Sequence, residues 1–261
     1  MSPRVSMLFI LNLLFLFGNV VGSLNPRFQA CEPQTCGNGQ NITFPFHIKG
    51  KQEPSCGLPH FGLVCASNGF PVLNLSNTFY IVDEIFYNNH SLRVSNPSFQ
   101  LSNSTNCFSP STNLTTSIRF TLAPNQKEVL LFFGCDLPSL AEEMKANVLG
   151  CFEGNRTRWV LGMAVNDEEK KLKYAKDNCR DGSTMRTVVE NVEGGIREAL
   201  RRGFLLKQRN WTVSGCDACQ SSGGTCGFDF DANGFRCFCR NSDQLARCSS
   251  GGLLSVTIQS D

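Results

Sequence analysis

The side chains that could do chemistry in this chain are few, and most point away from catalysis. Three histidines are present, His47, His60 and His90, and none belongs to an H-E-x-x-H metal motif. No G-x-S-x-G elbow, phosphate-binding loop or dinucleotide-binding glycine pattern occurs either. The reading is that this chain is not an enzyme and carries no cofactor. A second chemistry is better supplied. Aromatic rings cover the apolar faces of sugars, hydrogen-bonding side chains reach their hydroxyls, and cations meet acidic sugars. Phe44, Phe46, His47, Lys49 and Lys51 lie within eight residues, with Tyr80, Tyr87 and Arg93 further on. Taken singly, each has an ordinary role as packing or surface charge.

The third chemistry is oxidation of thiols. Fourteen cysteines are present: Cys31, Cys36, Cys56, Cys65, Cys107, Cys135, Cys151, Cys179, Cys216, Cys219, Cys226, Cys237, Cys239 and Cys248. An even count behind an export signal is expected to form disulfides, with a pairing that spacing alone leaves open. Zinc at Cys216-x2-Cys219 and Cys237-x-Cys239 is the weaker account in an oxidising compartment, so no metal site is expected.

The export signal is residues 1–22: Arg4 precedes an apolar run from Met7 to Val21 that is too short to anchor in a bilayer. The first 30 residues are expected to lie outside the fold. Seven N-x-Ser/Thr acceptors follow, at Asn41, Asn74, Asn89, Asn103, Asn113, Asn155 and Asn210, and each used site should face solvent. The formal net charge is +2, and no segment is a polycation, which argues against a nucleic-acid partner. No second apolar run after Val21 is long enough to span a membrane.

Between the cysteines the chain favours short strands rich in aromatic and β-branched residues. Ile42–Phe44 and Phe46–Ile48 flank Pro45; further strands are expected at Phe61–Cys65, Val72–Leu75, Phe79–Val82, Ile85–Tyr87 and Leu92–Val94. The polar stretch 99–114 separates these from candidates at Ile118–Phe120, Val129–Phe133 and Trp159–Met163. Leu130–Phe133 lacks alternation and should be buried on both faces. Helices are expected over Asp167–Asp177 and Ile196–Arg202, the latter stopped by Gly203, before a strand at Phe204–Leu206. The last six cysteines resemble a shrunken epidermal-growth-factor-like module, with Asn233-Gly234 turning a hairpin. The fold class is thus mostly β, a disulfide-rich secreted glycoprotein. It has two small β-rich domains, 31–98 and 115–248, joined by a linker at 99–114 and followed by a tail at 249–261. The second domain carries one or two short helices and the small cysteine module.

Read together, these motifs resemble the extracellular region of plant wall-associated and leaf-rust-resistance-type receptor-like kinases. The first block matches the start of a galacturonan-binding domain at Cys36-Gly37, Asn41 to Phe46, Cys56-Gly57, Pro59, Phe61, Leu63 and Cys65. The segments LRRGFLLKQRN and GCDACQSSGGTCGFDFDANGFRCFC match the end of the companion C-terminal domain. Gln208 stands where relatives often have Trp. The resemblance implies a cell-wall protein that binds acidic, pectin-type polysaccharide; Phe44, Phe46, His47, Lys49, Lys51, Tyr80 and Arg93 are the residues assigned to it. The alternative is a module that meets a cell-surface protein or peptide without sugar. Up to Asp261 the chain shows no glycine-rich ATP loop, H-R-D or D-F-G, so kinase activity is not expected of it.

Overall fold

The computed structural model describes residues 24–100, 117, 119–136, 138, 140–152, 155–179, 184–209 and 215–249. The leader 1–22, Cys107, Asn103, Asn113, Asn210 and most of the 99–114 and 249–261 segments lie outside the described residues, as does the side chain of Asn155.

Fourteen strands are described: β1 (His47–Ile48), β2 (Gly62–Cys65), β3 (Pro71–Leu75), β4 (Thr78–Phe86), β5 (Ser91–Ser95), β6 (Phe120–Leu122), β7 (Lys127–Cys135), β8 (Val148–Phe152), β9 (Asn155–Ala164), β10 (Thr184–Val189), β11 (Phe204–Gln208), β12 (Thr225–Asp229), β13 (Gly234–Phe238) and β14 (Asp243–Gln244). They form a seven-stranded sheet in the order β1-β2-β3-β4-β5-β11-β6, a four-stranded sheet β10-β7-β9-β8, and a three-stranded sheet β12-β13-β14. Among the described strands, β1–β2 pair in parallel and the other ladders are antiparallel. The protein is mostly β, as the aromatic and β-branched runs require.

The large sheet draws on both sides of the 99–114 segment, because β6 and β11 join strands that precede it. Its core gathers Ile42, Phe46, Phe61, Leu63, Leu73, Tyr80, Val82, Leu92, Val94, Phe120, Phe204 and Leu206. Phe46, Phe61 and Phe120 stack in sequence at 5.4 and 5.1 Å between centroids, so the first block and β6 share one aromatic column. Leu130–Phe133 lies in β7, the strand between β10 and β9, and Val129, Leu131, Phe132 and Phe133 are all buried.

Six disulfides are described: Cys31–Cys56, Cys36–Cys65, Cys135–Cys179, Cys216–Cys226, Cys219–Cys237 and Cys239–Cys248. Cys151 is disulfide-bonded as well. In the last block the first cysteine pairs with the third, the second with the fourth and the fifth with the sixth. That leaves Cys237, Cys239 and Cys248 clustered, but their sulfurs are already spent in disulfides and cannot act as thiolate ligands.

Several elements differ from the sequence reading. Residues 24–30 are folded. Pro26–Ala30 is a short helix, capped by Asn25, whose Oδ1 accepts from Arg27 N–H at 3.0 Å. The Asn25 backbone N–H donates to Arg240 O at 2.7 Å, and its side-chain amide donates to Asp243 at 2.7 Å, so this helix is held by the cysteine module. Ile42–Phe44 is not a strand; Ile42 makes only a bridge to Gln34, and the Phe44–Pro45 peptide is cis. The two strands expected at Phe79–Val82 and Ile85–Tyr87 are one, β4, with a bulge between Val82 and Glu84. Phe99 is buried in a helical turn at Pro97–Gln100 and does not open a linker.

Candidate functional site

The residues expected to meet sugar divide into three groups. Phe44, Phe46 and Tyr80 are 6%, 0% and 3% exposed. A ring with both faces covered is not open to stack on a sugar, and these three serve the packing of the core. Phe44 sits among Cys216, Cys219, Cys226 and Cys237 with Phe235 edge-on at 6.0 Å, which makes it the plug that seats the cysteine module on the first block. Tyr80 meets Phe204 edge-on at 5.5 Å. Tyr87 fixes the motif by a different route: its hydroxyl accepts from Thr43 N–H at 2.9 Å and donates to Asn41 O at 3.2 Å.

His47, Lys49 and Lys51 form the second group, at the β1 edge. Lys49 and Lys51 are exposed, and Lys51 Nζ donates to Thr35 O at 2.9 Å. His47 is buried against Gly62, where a Cβ would meet its imidazole and the Lys49 stem at once. Burial, and then the Lys49 charge, hold the His47 pKa below its usual 6.5. A base depressed in this way makes the native state resist a proton that the unfolded chain accepts. Stability is therefore expected to be full above pH 6.5 and to fall as pH drops from 6.5 toward the native-state pKa. Melting temperature measured from about pH 7.5 to about pH 5 should show that slope, and His47→Gln should flatten it.

Arg93 lies apart from both groups, on β5. Its guanidinium pairs with Glu84 at 3.0 Å and Glu190 at 3.3 Å, and lies over the Phe86 ring at 5.4 Å. It borders an open polar cleft of about 530 Å³ lined by Asp83, Arg93, Glu190, Asn191, Glu193, Arg201 and Arg202. One wall comes from β4 and β5, the other from the turn after β10 and the helix Ile196–Arg202. Arg202 Nη2 donates to Asn191 Oδ1 at 2.8 Å and to Glu193 O at 2.6 Å, which holds the turn closed against the helix. Burial pushes the Asp83 carboxyl pKa up, against the pull of its Ser95 hydrogen bond and of Arg93. The cleft thus offers guanidinium donors beside carboxylate and amide acceptors, the groups that recognise hydroxyls and a carboxylate on one ligand.

The helix reaches β5 only because residue 203 is glycine. Gly203 has φ 76°, and a Cβ there would lie 2.0 Å from Val94 O. Sequence reasoning found Arg93 and the Gly203 stop but not the other cleft residues. Charged residues of these types are ordinarily solvated surface, and nothing local brings Glu190 to Arg93.

A disulfide-stapled β protein with an arginine-rich polar cleft is the class that this geometry defines. Residues 31–96 match the family described as wall-associated receptor kinase galacturonan-binding, and residues 143–242 match wall-associated receptor kinase C-terminal. Both matched regions are of domain types described for wall-associated receptor kinases, and the relatives found are leaf-rust-resistance-type receptor-like kinases. It is 31% identical over 264 residues to the Arabidopsis thaliana leaf rust 10 disease-resistance locus receptor-like protein kinase-like 1.2, covering 96% of this chain and 39% of that one. Like 2.8 and like 2.1 of the same series and organism are 24% and 25% identical, over 84% and 94% of this chain and 25% and 39% of theirs. The chain therefore spans about two fifths or less of the length of these relatives, and the matched regions are not their kinase. No solved structure matches it. Among the described residues no helix is long and apolar enough to cross a membrane.

Proposed function

We propose that this chain is an extracellular, cell-wall-facing receptor region or a soluble counterpart of one. In this reading it binds acidic pectin-type polysaccharide, with the Arg93 cleft as the seat of the uronate carboxylate. The observation that carries the reading is the galacturonan-binding match over residues 31–96, to which Asp83 and Arg93 belong. Arg201 and Arg202 supply further cations from the second matched region, while Asn191, Glu190 and Glu193 suit sugar hydroxyls. The acids in the same cleft moderate its charge, so a neutral stretch or a partly esterified chain also fits it.

The test is salt-sensitive retention of the folded protein on polygalacturonate against a neutral glucan. Arg93→Gln and Arg201→Gln are each expected to weaken retention about tenfold, the value of one hydrogen bond to a charged group. Lys49→Ala with Lys51→Ala should leave it within about twofold, because long-range attraction at that edge is screened by salt. Equal retention on both polysaccharides would overturn the reading. A protein-partner reading is favoured by Phe230 and Leu245, which are 53% and 73% exposed on the cysteine module; co-purification of a protein without sugar, lost on Phe230→Ser, would support it.

A further inference from the structure

The outer face of the large sheet is open and apolar at the β3–β4 hairpin. Phe79 is 56% exposed and Val64 48%. An exposed ring on a sheet face offers an apolar surface on which a neighbouring group can pack. Directly opposite Phe79 in the ladder stands Asn74, so their Cβ atoms are about 5 Å apart on the same face. Asn74 begins Asn74-Leu75-Ser76, an acceptor for N-linked sugar.

The hairpin also fixes how that acceptor is presented. Ser76 and Asn77 have φ 49° and 68° and form the two-residue turn between Leu75 and Thr78. The Asn77 backbone N–H donates to Asn74 Oδ1 at 3.1 Å. The amide oxygen is thereby held by the turn, while Asn74 Nδ2, the atom that takes the sugar, makes no hydrogen bond among the described residues. Asn74 itself is exposed. Asn41 and Asn89 are exposed as well, but neither faces an exposed ring: Asn41 O is taken by the half-buried Tyr87, and Asn89 Oδ1 accepts from the buried Ser91 hydroxyl.

We infer that Asn74 carries an N-linked glycan whose first N-acetylglucosamine packs on Phe79, closing this face of the sheet. In the modification, Asn74 Nδ2 attacks C1 of N-acetylglucosamine on a lipid-pyrophosphate-linked oligosaccharide. The N–C1 bond forms as the C1–O bond to pyrophosphate breaks, the amide gives up one proton, and the lipid pyrophosphate leaves with no change of oxidation state. The sugar then lays its C–H face on the ring, the contact that aromatic side chains make with carbohydrate. Covered in this way, the Val64–Phe79 face is withdrawn from polysaccharide or protein partners.

The test uses the full chain secreted from eukaryotic cells, as wild type, Ser76→Gly, Phe79→Ala and the double variant. Glycine suits the left-handed turn position, so Ser76→Gly removes the acceptor hydroxyl without straining the hairpin. Peptide mass spectrometry reads the sugar at position 74, and the fractions modified there are taken for melting. Modification of Asn74 is expected in the wild type and lost in Ser76→Gly. That loss should lower the melting temperature by about 2–4 °C more when Phe79 is present than when Phe79→Ala accompanies it, the shift one ring contact gives in a chain of this size. Phe79→Tyr should restore the coupling. An unmodified Asn74 in the wild type, or equal melting losses with and without Phe79, would overturn the inference.

Discussion

Gly203→Ala is expected to destabilise the protein by about 3–5 kcal/mol, enough to collapse the yield of folded chain. Two costs combine. The backbone at Gly203 has φ 76° and ψ −147°, a region that side chains avoid. The added methyl would also lie 2.0 Å from Val94 O and 2.9 Å from Ser95 Cα, both backbone atoms of β5 that cannot swing aside. Gly195, at the other end of the same helix, separates the two costs. Its φ is 92°, but nothing lies within 4 Å of where a methyl would stand, so Gly195→Ala should cost about 1 kcal/mol or a little more, from backbone strain alone. Denaturant midpoints of the two variants measure the difference. Equal losses would mean that the close approach of helix to strand is not what Gly203 serves. Because Ala199 N–H donates back to Gly195 O and Glu190 N–H donates to Gly203 O at 3.1 Å, the variant should also loosen the cleft wall and lose polysaccharide retention with stability.

Phe46→Ala is expected to cost about 3–5 kcal/mol. Phe46 is wholly buried and begins the column that runs through Phe61 to Phe120. Truncation empties the space between the first block and β6, which the disulfides Cys31–Cys56 and Cys36–Cys65 would keep from closing by holding the block in place. Neighbouring Lys49→Ala and Lys51→Ala should stay within about 0.5 kcal/mol of wild type, as exposed substitutions do. The contrast, read in urea, assigns the Asn41–Phe46 motif to architecture. If Phe46→Ala melted like the lysine variants but lost binding, the ring would instead be a ligand contact.

Where local chemistry dictates structure, the sequence was a sufficient guide. Gly203 after Ile196–Arg202 marked the helix end to the residue, and Asn233-Gly234 marked the hairpin between β12 and β13. The unbroken apolar run in β7 marked an inner strand. The failures share a cause, namely that the deciding contact lies far off in the chain. Phe79–Val82 and Ile85–Tyr87 were expected as separate strands; the pairing with β5 carries the chain through Asp83 and Glu84 as a bulge within one strand. Asn25-Pro26 is a sound helix start, yet it was set aside with the leader, and only Arg240 and Asp243 of the cysteine module explain why it is ordered. Phe44, Phe46 and Tyr80 are of the residue types that touch sugar, and also of the types that fill cores; burial alone distinguishes them. The cleft needed Glu190 to meet Arg93 across 97 positions, a distance over which charge patterning carries no information.

The position of β11 has a consequence for biosynthesis. This strand inserts between β5 and β6, so during synthesis the β5 edge waits with its backbone groups unpaired until Phe204–Gln208 leaves the ribosome, more than a hundred residues after Ser95. An unpaired edge is a template for association with other chains. The first matched region cut off at residue 96 would keep that edge for good, so the end of the match in sequence is not an ending in space. Nascent chains stalled before Phe204 should engage chaperones, and release them when β11 closes the sheet.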